Sequence, residues 1–325
     1  MSGKPVPAPS PVALGPPPGS LGAILGENLP VRVRQQLLRE LGDLLSAKLE
    51  LPNLALASYV ANTLNPAAAN NAQMNLSHEK LLFDALTDAR KDSENLGLVL
   101  HTLGGVGDFP SRIVRFVREG LKARTFIVLV PQLAKSAGTL LSLAADRVVT
   151  GPASQFGPID PQLPRVTNAG QMWVSARAVK ESYETLLGPK LKDLPPSAQM
   201  GVATTIDWLL YQQALDSIRY TKDFVANVKS GIHSGLKEAE VVRDLIDTPL
   251  SHGSDVSPAK LSSYGVPVVD LPLGDPVWQK LDEYHSRALR GLLMELAPPP
   301  AASLVLFESP RTSFAINAVL QSPGK

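Results

Sequence analysis

A serine hydroxyl attacks a carbonyl only when a base takes its proton and donors hold the charge that forms on the carbonyl oxygen. Residues 97–163 contain most of the parts for that chemistry. An apolar stretch, Gly97 to Leu100, runs into the double glycine Gly104-Gly105. A helical stretch and a second apolar strand, Phe126 to Val130, follow, and the chain then reaches Ser136. Ser136 stands in a turn of small residues, Ala137-Gly138-Thr139, that opens another helix and lets a substrate backbone come close. A helix starting here leaves its first N–H groups free and its positive dipole end at the serine. The Ala137 N–H is then one donor for an oxyanion. Gly104 and Gly105 offer another, because glycine adopts the backbone angles that turn an N–H toward a ligand.

Each motif alone has a plainer explanation: the glycines as a strand-to-helix turn, Ser136 as a helix cap. The pair is more specific than its parts. One helix and one strand separate the two turns, which sets them at the same end of adjacent parallel strands, where ligand crevices form.

The surrounding elements must supply that geometry. Apolar strands alternate with helices after residue 78, a rhythm that implies crossover units and a largely parallel sheet. Val31 to Leu49 forms an amphipathic helix with Val33, Leu37, Leu38, Leu41, Leu44 and Leu45 on one face. Leu54 to Ala61 reads as a strand, and His78 to Arg90 as a helix capped by Ser77. Thr205 to Lys229 is strongly helical, and Val266 to Asp270 is a late strand. Three regions are expected: a disordered Pro-rich tail (1–28), one catalytic domain (29–297) and a C-terminal tail (298–325).

Composition removes several classes of function. The chain has 325 residues, a net charge of +1 and 44% hydrophobic residues, with no basic stripe of the kind that binds nucleic acid. It has no cysteine, which excludes disulfides, thiolate metal sites and a cysteine nucleophile. No apolar run approaches the roughly 18 residues that span a bilayer, and the Pro-rich start lacks a signal-peptide core. The expectation is a cytoplasmic protein without a membrane span. The five histidines, His78, His101, His233, His252 and His285, show no metal-ligand spacing, so neither metal nor other cofactor is expected.

LHTLGG, AKSAGTLLSLAADRVVTGP and FGPIDPQL together resemble the serine dehydrogenase proteinase family of the Clp-protease/crotonase superfamily, which is related to signal peptide peptidase A. TPLSHGSDVSPAKLSSYGVPVV (248–269) is similar to the C-terminal segment of that family. The resemblance covers roughly residues 54–273. It implies an α/β, Clp/crotonase-type fold of repeated β-β-α units, a largely parallel sheet flanked by helices, and assembly into a homo-oligomer. It also implies a peptide or protein substrate, cleaved through an acyl-enzyme on Ser136 with the Gly104, Gly105 and Ala137 amides as oxyanion hole.

The base stays open at this level. Asp160, in GPIDPQ, stands where the Clp subunit has its histidine; it serves as a base, orients another group, or caps a turn between two prolines. Signal peptide peptidases use a lysine, and the matching residue on the late helix here is Gln213, which accepts no proton usefully. Among Lys180, Lys190, Lys192, Lys222 and Lys229, Lys180 is the first candidate because it follows the nucleophile segment; Lys135 abuts Ser136 and points elsewhere. His101, at the end of the strand before the glycines, and His252, in the C-terminal segment, are candidates for the site's periphery. The alternatives to a serine peptidase are an inactive Clp-fold assembly protein and a crotonase-type acyl-CoA enzyme.

Overall fold

The computed structural model describes residues 11–13, 29–69, 71–105, 108–167, 170–203, 207–247, 254–294 and 301–319. It divides into two compact units. The first is formed by residues 1–156 with 256–325, the second by residues 157–255.

The first unit is built on an eight-stranded sheet. Its strands are β1 (Pro11–Ala13), β2 (Ala55–Ala61), β3 (Asn95–His101), β4 (Thr125–Leu129), β6 (Arg147–Thr150), β10 (Val268–Asp270), β11 (Ala301–Glu308) and β12 (Ser313–Val319), in the order β1-β12-β11-β2-β3-β4-β6-β10. From β2 to β10 every neighbouring pair is parallel, and from β1 to β2 every pair is antiparallel. The expected α/β class with a mostly parallel sheet is what the chain adopts. β2 (ALASYVA) and β3 (NLGLVLH) are buried at every position, and β4 at four of five. A strand covered on both faces carries this near-continuous apolar sequence rather than an alternating one. Two short strands, β5 (Leu133–Ala134) and β7 (Gln155–Phe156), pair separately beside the ends of β3 and β4.

Helix Leu29–Leu49 buries Leu37, Leu38, Leu41, Leu45 and Leu49 in a core shared with helix Pro276–Met294 and strands β2 to β4. Leu44, expected on that face, is 36% exposed at its edge. Helix Glu79–Arg90 follows a short 3-10 turn, Leu76–His78. The capping side chain there is Asn75, which accepts the Ser77 N–H at 2.9 Å, and not Ser77 itself. An Asx side chain two residues ahead competes well for such a turn.

Residues 301–319, expected within a C-terminal tail, form β11 and β12, with β11 hydrogen-bonded to β2 inside the sheet. A buried network explains their place. Arg34 Nε donates to Glu308 Oε1 at 3.0 Å with both side chains essentially inaccessible. Tyr284 Oη donates to Glu308 Oε2 at 2.9 Å and lies 2.6 Å from Ser58 Oγ, and Ser313 Oγ donates to Glu308 Oε1 at 2.8 Å. The network ties two helices and three strands together through one carboxylate. In the Pro-rich N-terminal segment, Pro11–Ala13 lies along the edge of β12; the rest of 1–28 lies outside the described residues.

The second unit holds the antiparallel pair β8 (Gln162–Thr167) and β9 (Gly170–Ser175) and helices that include Ala176–Glu181 and Trp208–Gly231. Asp207 caps the last of these, accepting the Leu210 N–H at 2.9 Å. Among the described residues, no helix is long and apolar enough to cross a membrane.

Candidate active site

Both predicted turns lie beyond the C-terminal ends of neighbouring parallel strands, β3 and β4. After β3, Thr102 bridges to the strand that leads into Ser136: the Thr102 N–H donates to Leu133 O at 2.8 Å, and the Lys135 N–H to Thr102 O at 3.1 Å. These two bonds hold the glycine turn beside the serine turn.

The contact is tight. A Cβ built on Gly104 would stand 2.7 Å from Ser136 Cβ, 3.1 Å from Lys135 O and 3.4 Å from Ser136 Oγ. Gly104 has φ +112°, where side chains are strained, so both sterics and backbone require glycine here. Gly105 is constrained from the other side, where a Cβ would meet Met74 O at 2.0 Å.

Ser136 has φ 48° and ψ −109°, one of four non-glycine residues with positive φ among those described. It precedes helix Ala137–Leu143, yet its side chain makes no capping hydrogen bond. The plain helix-cap explanation therefore does not describe Ser136. A strand–turn–helix crossing with a serine in a strained conformation aims the hydroxyl outward from the turn, as in nucleophile elbows. Among the described residues nothing donates to or accepts from Ser136 Oγ.

The two glycine amides are not equivalent. The Gly104 N–H donates to Thr102 Oγ1 at 3.0 Å, so it is already occupied. The Gly104 carbonyl accepts the Met74 N–H at 2.8 Å. Neither Gly105 N–H nor Ala137 N–H has a partner among the described residues. The occupied Gly104 N–H could not have been read from the glycine pair; the signal lay in Thr102, two residues upstream.

The remaining candidates are distributed as follows. Lys135 is buried and donates from Nζ to Phe156 O at 2.8 Å, which ties the serine turn to the end of β7. His101 is fully buried in the core, with Nε2 2.8 Å from Thr63 Oγ1 and its ring 4.5 Å from that of His285. Burial, and then the neighbouring His285, hold its pKa well below the ordinary histidine value. A neutral ring packed in this way reads as structural.

Asp160, Lys180 and Gln213 belong to the second unit. Asp160 is 4% exposed; Gln162 Nε2 donates to its Oδ2 at 3.0 Å, and its buried Oδ1 has no partner among the described residues. Lys180 is more than a third exposed and sits 3.8 Å from Glu184 on the next helical turn. Gln213 is exposed on helix Trp208–Gly231. His252 lies outside the described residues.

Residues 74–190 match the family model of the ClpP-like SDH-type serine proteinases. The chain is also 27% identical over 173 residues to one uncharacterized protein of Methanocaldococcus jannaschii, covering 53% of this chain and 51% of that protein. It is 25% identical over 216 residues to a second from the same organism, covering 66% and 67%. The chain thus spans about half the length of the first relative and two thirds of the second. Among solved structures, a membrane-bound stomatin-specific protease in complex with a substrate peptide matches with TM-score 0.38 at 18% identity, covering 63% of this chain and 72% of that one. An enoyl-CoA hydratase/isomerase from Marinobacter aquaeolei matches with TM-score 0.33 at 14% identity, covering 74% of each. The glycine turn and Ser136 both lie inside the stretch, 74–190, that matches the ClpP-like SDH-type serine proteinase family model.

Proposed function

We propose that this protein hydrolyses peptide bonds by nucleophilic attack of Ser136 on the scissile carbonyl. The observation that carries this reading is the backbone of Ser136, φ 48° and ψ −109°, with its hydroxyl released from any capping role beside the Gly104 turn. Attack by Oγ forms a tetrahedral intermediate, its collapse expels the amine and leaves an acyl ester, and water then releases the acid.

The oxyanion donors in this reading are the Gly105 and Ala137 N–H groups. In a trans peptide unit the carbonyl and the following N–H point in opposite directions. Met74 binds the Gly104 carbonyl, so the Gly105 N–H is directed away from Met74. Ala137 is the first residue of its helix, where the N–H has no intrahelical acceptor.

For the proton-accepting role Asp160 is the first candidate, because its carboxylate is nearly inaccessible and one of its oxygens has no partner among the described residues. Lys180, with more than a third of its side chain in solvent and an acidic partner one turn away, has the environment of a surface charge and ranks second.

The test is covalent labelling with a fluorophosphonate, which reacts with activated serine hydroxyls. Labelling of the wild type and its loss in Ser136→Ala is the expected result. An unlabelled wild type that binds immobilised coenzyme A would instead favour acyl-CoA chemistry.

A further inference from the structure

The hydroxyl of Thr102 makes contacts that nothing in the proposed reaction uses directly. Thr102 is completely buried. Its Oγ1 accepts the Gly104 N–H at 3.0 Å and lies 3.2 Å from the Gly104 carbonyl oxygen, to which it donates. A hydroxyl carries one donor and two acceptor lone pairs, so one oxygen satisfies both groups. Its methyl faces the nucleophile helix: a Cβ built on Gly138 would stand 2.8 Å from Thr102 Cγ2. Its main chain meanwhile bonds Leu133 O and the Lys135 N–H, one residue before Ser136.

We propose that Thr102 is a positioning residue that sets the oxyanion hole, its hydroxyl taking up the Gly104 N–H so that of the two glycine amides only that of Gly105 faces the developing charge, beside that of Ala137. The inference rests on the serine-peptidase reading above and deepens it. The physical reason is competition. Two adjacent glycine amides can swivel, and a loop free to present either of them holds neither in one place. Gly104 at φ +112° is an unfavourable conformation for most residues, and a hydroxyl that binds both ends of Gly104 removes its freedom to leave. Because the same residue bonds the serine strand, the donor and the nucleophile are indexed to one another through a single side chain and its backbone.

Two substitutions separate the hydroxyl from the volume. Thr102→Val keeps the shape and the methyl beside Gly138 and removes the hydroxyl. Thr102→Ser keeps the hydroxyl and removes the methyl. Two readouts are taken on both variants: hydrogen–deuterium exchange of the peptide spanning residues 101–105, and the saturation kinetics of fluorophosphonate labelling, resolved into an inactivation rate and an affinity. In Thr102→Val, exchange of the Gly104 amide accelerates, and the inactivation rate falls on the order of 10-fold or more with the affinity unchanged. Thr102→Ser restores both toward the wild type.

Unchanged exchange in Thr102→Val overturns the inference, and so does faster exchange with a full inactivation rate. If the wild type is not labelled at all, the peptidase reading fails; the exchange measurement then still decides whether Thr102 holds the Gly104 turn, and unchanged exchange again overturns that.

Discussion

Ser136 holds a backbone conformation that costs a residue with a side chain about 1–3 kcal/mol, and its hydroxyl recovers none of that by capping the helix. Strain kept at a serine beside a glycine turn is a sign of use. The same reasoning gives a prediction for Gly104. In Gly104→Ala the new methyl is forced to φ +112° and to within 2.7 Å of Ser136 Cβ, so stability falls by about 1–3 kcal/mol and fluorophosphonate labelling is lost. Urea unfolding and labelling on one preparation check both parts, and a variant that labels at the wild-type rate contradicts the geometry. At this scale the sequence was informative where chemistry is local. Gly104-Gly105 and Ser136-Ala137 are legible because backbone freedom and a hydroxyl are properties of residue type. The different work of the two glycines was not legible, since it depends on Thr102 and on the N–H of Met74, thirty residues upstream, which no local pattern reports.

Strands β3 and β4 place the two turns, and their burial on both faces made them readable as continuous apolar runs. Strand β11 was not readable. AASLVLFE follows a proline run near the chain end, and its partners, β2 and β12, include one some 245 residues away in sequence. Pairing at that separation is fixed by the fold, not by local propensity. The carboxylate of Glu308 shows what secures it. Replacing it by glutamine removes the negative charge that faces the buried Arg34 guanidinium, a change that destabilises by about 3–5 kcal/mol. Chemical denaturation of Glu308→Gln against the wild type measures this; a loss below about 1 kcal/mol would mean that β11 is held by the apolar core alone.

At the scale of the whole molecule, three histidines are deeply buried among the described residues, and their titration belongs to the stability of the fold. Burial lowers the pKa of His78 and of His285 to about 4, and holds that of His101 well below its ordinary value. A histidine whose pKa is depressed on folding is bound less well by protons in the native state than in the unfolded one. Its contribution is therefore complete above the unfolded value of about 6.5 and is lost as pH falls from there toward the native value. Between pH 7 and pH 5, His78 and His285 each remove about 2 kcal/mol of stability. Guanidinium midpoints across that range check the slope, and a flat profile contradicts the buried, neutral state. Of these three, only His101 was a candidate for the site's periphery in the sequence, because residue type alone does not report burial.

Whether Ser136 is an activated nucleophile is tested most directly by the site of covalent modification by a fluorophosphonate. One adduct per chain is expected, mapped by peptide mass to the segment containing Ser136 and absent from Ser136→Ala. A folded wild-type protein that takes up no adduct, or one that carries the adduct on another residue with Ser136→Ala labelled equally, would contradict it.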